Sequence, residues 1–586
     1  MKKLKTDILI LGSGGAGLFA ALHAHQANPD LSITVGVKGL LGKCGCTRMV
    51  QGGYNVALAE GDSVERHFMD TIEGGKWLPD QDLAWTLVNT AVERVHELEN
   101  ELGCFFDRNP DGTIHQKAFA GQTFDRTVHK GDLTGIEIIN RLSEQVWARG
   151  IDRLEEHRAV EFIKNKAGDA IAGVLMIDMR SGEFTVVQAQ AVLLATGGGP
   201  TMYKYHTPSG DKTCDGMAMA LRAGLTLRDM EMVQFHPTGL IAGPHTRITG
   251  TIIEEGLRGA GGQLLNGAGE RFMHLYDERG ERATRDIVSR GMYHQMREGK
   301  VGPRGGLYIT MRHLDPVMVR KMFKGMVERC ADCGFDLVSG LVDVVPTAHY
   351  MMGGVVFNTD CSTDLAGLFA AGEDSGGVHG ANRLGGNGVA NSTVFGGIAG
   401  DVMPRWLKAG GGGFNEPDAV AIAEAVARCR APLGKPAGDL NSIREELYGL
   451  MWDDVGIVRD AAGLRRAEGT LDALEARLDA TGVADANLAF NLTWHDWMNL
   501  KNLILVSKSI RFAAMAREDS RGAHYRSDFP DVRDLENSHY TCVTWKDGRF
   551  GSTTRPVKFT RVKPGESLLT RPETGAASAR VPDKIK

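Results

Sequence analysis

Two groups of residues in this sequence could do chemistry, and each is marked by its glycines. Gly12-Ser-Gly14-Gly-Ala16-Gly17 follows the apolar run Asp7-Ile-Leu-Ile-Leu and opens an Ala- and Leu-rich stretch, Gly15 to Ala27. In that setting a GxGxxG turn lets the backbone fold tightly, approach a pyrophosphate and pack helix on strand, while the helix amino end attracts negative charge. The next apolar run, Ile33 to Val37, is followed by Lys38 rather than the acid that grips a nicotinamide ribose, so a nicotinamide cofactor is disfavoured. The second group is His236 in Gln234-Phe-His236-Pro-Thr238-Gly239, His349 in Thr347-Ala-His349-Tyr350-Met-Met-Gly353-Gly354, and Arg383 in His379-Gly-Ala-Asn-Arg383-Leu-Gly385. Guanidinium and imidazole make charge-assisted hydrogen bonds to carboxylates, so this set is suited to clamp both ends of a dicarboxylate. Cys330 and Cys333 form a lone CxxC with no second pair or nearby histidine, and no metal site is expected.

The elements that must position these residues read as an α/β fold. Asp7 to Gly12, Gly15 to Ala27 and Ile33 to Val37 form the start of a βαβ unit, and Val192 to Thr196 and Leu368 to Gly372 are further strands ending in glycine. The expected organisation is a Rossmann-like domain in two pieces, 1–238 and 345–408, interrupted by an α+β capping domain at 239–344. A helical domain over 414–537 and a small C-terminal region over 538–586 follow. Leu447, Leu450, Met451, Val455 and Val458 carry the helical spacing. The 586 residues, 42% hydrophobic and 24% charged, suit a multidomain globular protein, and a net charge of −6 without a basic run disfavours nucleic acid. Nine scattered cysteines and no apolar run of about 18 residues point to a reducing, cytoplasmic setting without a membrane span.

Further motifs narrow the reading. Leu194-Ala195-Thr196-Gly197-Gly-Gly199 resembles the turn with which two-dinucleotide-fold flavoproteins close on FAD, and Ala371-Gly-Glu373 resembles their late motif, in which the carboxylate holds a ribose hydroxyl. Together with Gln51-Gly52-Gly53 and the histidine and arginine motifs, the chain over about residues 5 to 530 resembles the succinate dehydrogenase, fumarate reductase and L-aspartate oxidase family. Arg517 and Ser520-Arg521-Gly522-Ala-His524-Tyr525-Arg526 match that family's helical domain. The resemblance implies FAD contacts at Gly12, Gly14, Ala16, Gly17, Lys38, Thr47, Gln51, Gly52, Gly53, Ala195, Thr196, Gly197, Asp215, Glu373, Arg383, Gly388 and Val389. It implies that Arg285, in Ala283-Thr-Arg285-Asp286, exchanges a proton with the substrate, relayed by Glu255 and Arg258, and that His236, His349, Arg383, Phe119 and Glu254 meet the substrate.

Several departures bear on the expected activity. Cys46 stands where respiratory members carry the histidine that links FAD covalently, so noncovalent FAD is expected, with a cysteinyl flavin as the alternative. Ala118-Phe119-Ala120-Gly121-Gln122 has Phe119 where aspartate oxidases carry a glutamate suited to an amino group, which favours an amine-free dicarboxylate. Glu254 replaces a carboxylate-binding threonine, and a carboxylate beside another carboxylate is unfavourable, so a larger or altered acid is also open. The expected reaction is the interconversion of succinate and fumarate, with a stand-alone aspartate-oxidase-like flavin oxidase as the alternative. The resemblance further implies an iron–sulfur partner subunit, with or without a membrane or quinone-linked subunit that would hold the complex on the inner face of the membrane.

Overall fold

The computed structural model describes residues 1–243, 246 and 248–569; the end of the 538–586 region lies outside them. Its central sheet has seven strands. β1 (Lys2–Leu11) and β2 (Ile33–Gly36) pair in parallel, and β1 pairs on its other side with Glu183–Leu194, the first of three antiparallel strands that continue through Ile171–Asp178 to His157–Lys164. Leu368–Ala370 also runs parallel to Glu183–Leu194. The register sets the location of the site. Leu11 lies level with Gly36 and with Leu194, and Leu194 with Ala370. The turns that follow these strands therefore emerge along one edge, where parallel sheets bind ligands. Helix α1 (Gly15–Ala27) has the limits expected from its composition. Gly12 has a φ of +111°, and a Cβ on Gly17 would stand 2.0 Å from the Gly12 carbonyl oxygen, so strand and helix meet at a distance only glycine allows.

A second sheet is antiparallel, in the order Val233–Leu240, Val342–Met351, Leu307–Thr310, Gln263–Leu265. It backs a separate apolar core drawn from residues 240 to 344, including Leu257, Phe272, Met292, Ile309 and Val342. Four helices, Ala419–Arg430, Leu440–Asp454, Ala461–Ala480 and Leu492–Ala516, form a helical C-terminal part that packs on the main core, and the hairpin His539–Lys546/Arg549–Pro556 follows. No helix among the described residues is long and apolar enough to cross a membrane.

Candidate active site

A cavity of about 670 Å³ runs from the sheet edge to the second sheet. One end is the Gly12–Ala16 turn. The N-cap of α1, Gly14, offers no side chain, so the helix dipole and the N–H groups beyond Gly15 face the cavity. Thr47 Oγ1 accepts from Gly15 N at 3.1 Å and fixes the neighbouring loop. Of the residues expected to meet FAD, all lie on the wall except Gly17, which serves the packing of α1 on β1.

Lys38 and Asp215 form a buried polar knot at this end. The Lys38 ammonium donates to Asp215 Oδ2 at 3.1 Å and to Asn499 Oδ1 at 3.0 Å, while Arg158 and Asn502 donate to Asp215 Oδ1 at 2.9 and 2.7 Å. The long helix Leu492–Ala516 thus holds both residues. Burial pulls Lys38 down to about 8, against the opposing pull of Asp215, and Asp215 is held well below the usual carboxylate range because Arg158 and Lys38 outweigh its burial. Glu373 faces backbone: its Oε1 accepts from Met351 N at 2.9 Å and Gly199 N at 3.3 Å, and burial pushes it up to about 7. Asp374, not anticipated from the sequence, accepts from Gly197 N at 2.7 Å and from the Thr196 hydroxyl.

At the other end stand the groups suited to an acid substrate. Gln234 and His236 share one face of their strand. Pro237 cannot donate to the ladder, and pairing resumes only at Gly239. On the partner strand Ala348 pairs with Phe235 and Tyr350 with Gln234, which leaves His349 as the extra residue of a bulge. The two imidazoles consequently meet, with ring centroids 5.5 Å apart. His236 Nδ1 accepts from Thr238 N at 3.3 Å, leaving Nε2 to carry the proton, and His349 Nδ1 bonds the Thr207 hydroxyl at 2.8 Å. Burial lowers both far below the ordinary histidine value, reinforced by Arg285 at His236 and by Arg383 at His349, so they act as neutral donors. Arg383 lies over the Tyr350 ring at 4.3 Å with its Nε buried and unpartnered, and no carboxylate among the described residues is close enough for an ion pair.

Arg285 opens the helix Arg285–Arg297. Its Nε and Nη2 donate to Glu255 Oε2 at 3.2 and 2.5 Å, and its Nη1 to Gln234 Oε1 at 3.1 Å. Glu255 Oε1 accepts in turn from Arg258 Nη2 at 2.9 Å, and Arg258 Nη1 donates to the Glu281 carbonyl at 2.7 Å. Arg285 and Glu255 line the cavity whereas Arg258 stands behind them, so the three form a file leading away from it. Burial acts to raise Glu255, but the two guanidiniums win and hold it at about 2.

Phe119 presses its ring on Gly52, where a Cβ would stand 2.5 Å from Cζ, and closes one wall. Glu254 is on the wall too, but Lys117 Nζ, 2.5 Å from its Oε1, already pairs with it. Lys117 comes from a short strand before Phe119, so the pair ties that strand to the segment entering the second core. Removing one partner of a buried pair strands the other charge, so Lys117→Met should destabilise the protein toward the lower end of about 3–5 kcal/mol, the lysine being partly exposed. Adding Glu254→Gln should restore most of that loss in urea unfolding. Equal unfolding midpoints for wild type and Lys117→Met would show the pair to be energetically idle.

The cavity fits FAD. An uncapped helix end suits a diphosphate, and Gln51 Oε1 is buried with no donor, as expected of a group that meets a ligand. A family model described as FAD binding domain matches residues 7–389, and one described as fumarate reductase flavoprotein C-term matches residues 444–568. The chain is 40% identical over 538 residues to an uncharacterized FAD-dependent oxidoreductase of Methanocaldococcus jannaschii, covering 91% of this chain and 95% of that protein. It is 39% identical over 534 residues to one subunit of the CoM/CoB fumarate reductase of Methanothermobacter marburgensis, covering 90% and 95% respectively. The structure superposes on that of Escherichia coli quinol fumarate reductase with a TM-score of 0.90 at 33% identity, covering 97% of this chain and 99% of that one.

Proposed function

Since the chain belongs to the fumarate reductase and succinate dehydrogenase family of FAD-dependent flavoproteins, we propose that it interconverts a saturated and an α,β-unsaturated dicarboxylate, with succinate and fumarate as the first candidates. The observation that carries this reading is the file Arg285–Glu255–Arg258 ending beside a buried, unpaired Arg383 and two neutral histidines. Arg383 supplies the cation for one carboxylate, and the imidazole N–H groups supply neutral donors.

FAD bound here would, once reduced, supply two electrons as a hydride to one alkene carbon. The chain's own task is the second hydrogen. In the reductive direction Arg285 gives a proton to the other alkene carbon, and the electron pair of the double bond takes it up. Glu255, hydrogen-bonded to both guanidiniums, passes a proton from Arg258 to restore Arg285, and Arg258 regains one that originates in solvent. A guanidinium is a weak acid, so this immediate reprotonation is what makes the role workable. In the oxidative direction each transfer reverses.

Electrons then have to enter from outside the chain. We take their source to be an iron–sulfur subunit; several relatives are themselves named as subunits, which supports this. Turnover with a reduced viologen should give one saturated product for every two viologens oxidised. A panel of fumarate, methylated fumarates and L-aspartate tests the reading, and activity confined to L-aspartate with oxygen would replace it by the oxidase.

Cys46 lies on the cavity wall, but burial followed by Glu373 raises its thiol to about 12, which disfavours the thiolate needed to attack a flavin. Acid precipitation should therefore leave all the yellow colour in the supernatant. A flavin mass on the peptide containing Cys46 would contradict this.

A further inference from the structure

A second cavity, of about 400 Å³, lies behind the helix that carries Arg285, and the catalytic scheme does not use it. Asp286 and Arg521 stand on its wall, 7% and 3% exposed. Asp286 Oδ1 is a buried acceptor without a donor, and Arg521, whose Nη1 donates to Ser538 Oγ at 2.7 Å and whose Nη2 lies 3.4 Å from Asp519 Oδ2, keeps a buried Nε without an acceptor. Leaving either group unsatisfied costs roughly 1–3 kcal/mol, more for charged groups, so the two unmet needs point to a ligand.

The surroundings agree. Asp286 and Arg290 are one helical turn apart and would ordinarily pair. Arg290 instead lies over the Tyr525 ring at 4.9 Å and donates to the Gly522 carbonyl at 3.3 Å. Neither Asp286 nor Arg290 has an ion-pair partner among the described residues. The opposite wall contains Lys76 and Trp77, two successive non-glycine residues with φ of 61° and 58°. Left-handed residues of this kind cost energy and cluster at binding sites. Trp77, Tyr525 and Ile287, with Val532 at the rim, supply apolar surface, and Glu73 stands on the wall beside Lys76.

We propose that this cavity binds a small zwitterion of the α-amino acid class with an apolar side chain, its ammonium meeting Asp286 and its carboxylate meeting Arg521 and Arg290. Asp286 and Arg290, both without an ion-pair partner among the described residues, call for opposite charges on one molecule, which a simple amine or carboxylate does not carry. Because Asp286 follows Arg285 in sequence, the occupant touches the turn that positions the proton donor. The site is separate from the FAD cavity and does not depend on the reaction assigned there.

The test is calorimetric titration of the full FAD-loaded chain with L-leucine and L-phenylalanine, and with phenethylamine and 3-phenylpropanoate as single-charge counterparts. At least one amino acid should bind with a dissociation constant of about 1 mM or tighter, and both counterparts at least about tenfold more weakly. Binding should persist in saturating succinate, weaken with Asp286→Asn, and be lost in Val532→Trp, which fills the rim from an exposed position and should leave turnover unchanged. The proposal is overturned if neither amino acid binds, if the counterparts bind equally well, if succinate competes, or if well-folded Val532→Trp keeps full affinity.

Discussion

Arg285→Lys is expected to lower kcat by about a thousandfold or more while leaving the flavin content of the purified protein unchanged. The guanidinium makes three bonds at once, two to Glu255 and one to Gln234, and these aim it into the cavity. An ammonium on a flexible stem can keep the contact with Glu255 or reach the substrate, but it cannot reproduce the planar fork. FAD retention follows because the Gly12–Ala16 turn and the uncapped helix end belong to the opposite end of the cavity. Flavin absorbance per chain, read beside steady-state kcat, checks both halves of the statement. A variant that keeps most of its kcat removes Arg285 from the proton path.

Arg383→Ala should behave differently. Burial and the nearby Arg285 lower Arg383 to about 10, which still leaves it charged near neutrality, and in the proposed reaction the substrate carboxylate is its counter-ion. Truncating one side of a buried charge pair costs about 2–5 kcal/mol, so kcat/KM should fall by about 30- to 5,000-fold with KM rising. Without substrate the sign reverses, because an uncompensated buried cation has been removed. Thermal unfolding of the substrate-free variant should show no loss of stability. A clear destabilisation would mean that protein contacts, the Tyr350 ring among them, outweigh the cost of burying the unpaired charge.

Much of the site was legible because it depends on short-range pattern. The Gly12–Gly17 turn, its helix and the strand ends at Leu194 and Ala370 are local signals, and the sheet register brings them to one edge. Other features were not legible. Lys117 and Glu254 lie 137 residues apart, and an isolated lysine before Phe119 carries no mark of its partner. The bulge that turns His349 toward His236 is a register effect between distant strands. Asp374 carries no sequence mark that sets it apart from Glu373, yet it is the residue that accepts from Gly197 N. The role of the Arg517 to Arg526 motif is likewise not legible from its own residues. In the structure Arg517 pairs with the buried Glu231, and His524 bonds Arg459 at 2.8 Å, so these residues join the helical part to the sheets rather than line the FAD cavity.

The central claim is that reduced flavin held by this chain passes its electrons to an unsaturated dicarboxylate. It is tested most directly by reducing the FAD-loaded protein without oxygen, adding fumarate and following flavin absorbance. The predicted result is reoxidation with one succinate formed per flavin, lost in Arg285→Lys. Flavin that stays reduced in the presence of fumarate and of its methylated forms, yet is reoxidised by oxygen, would contradict it.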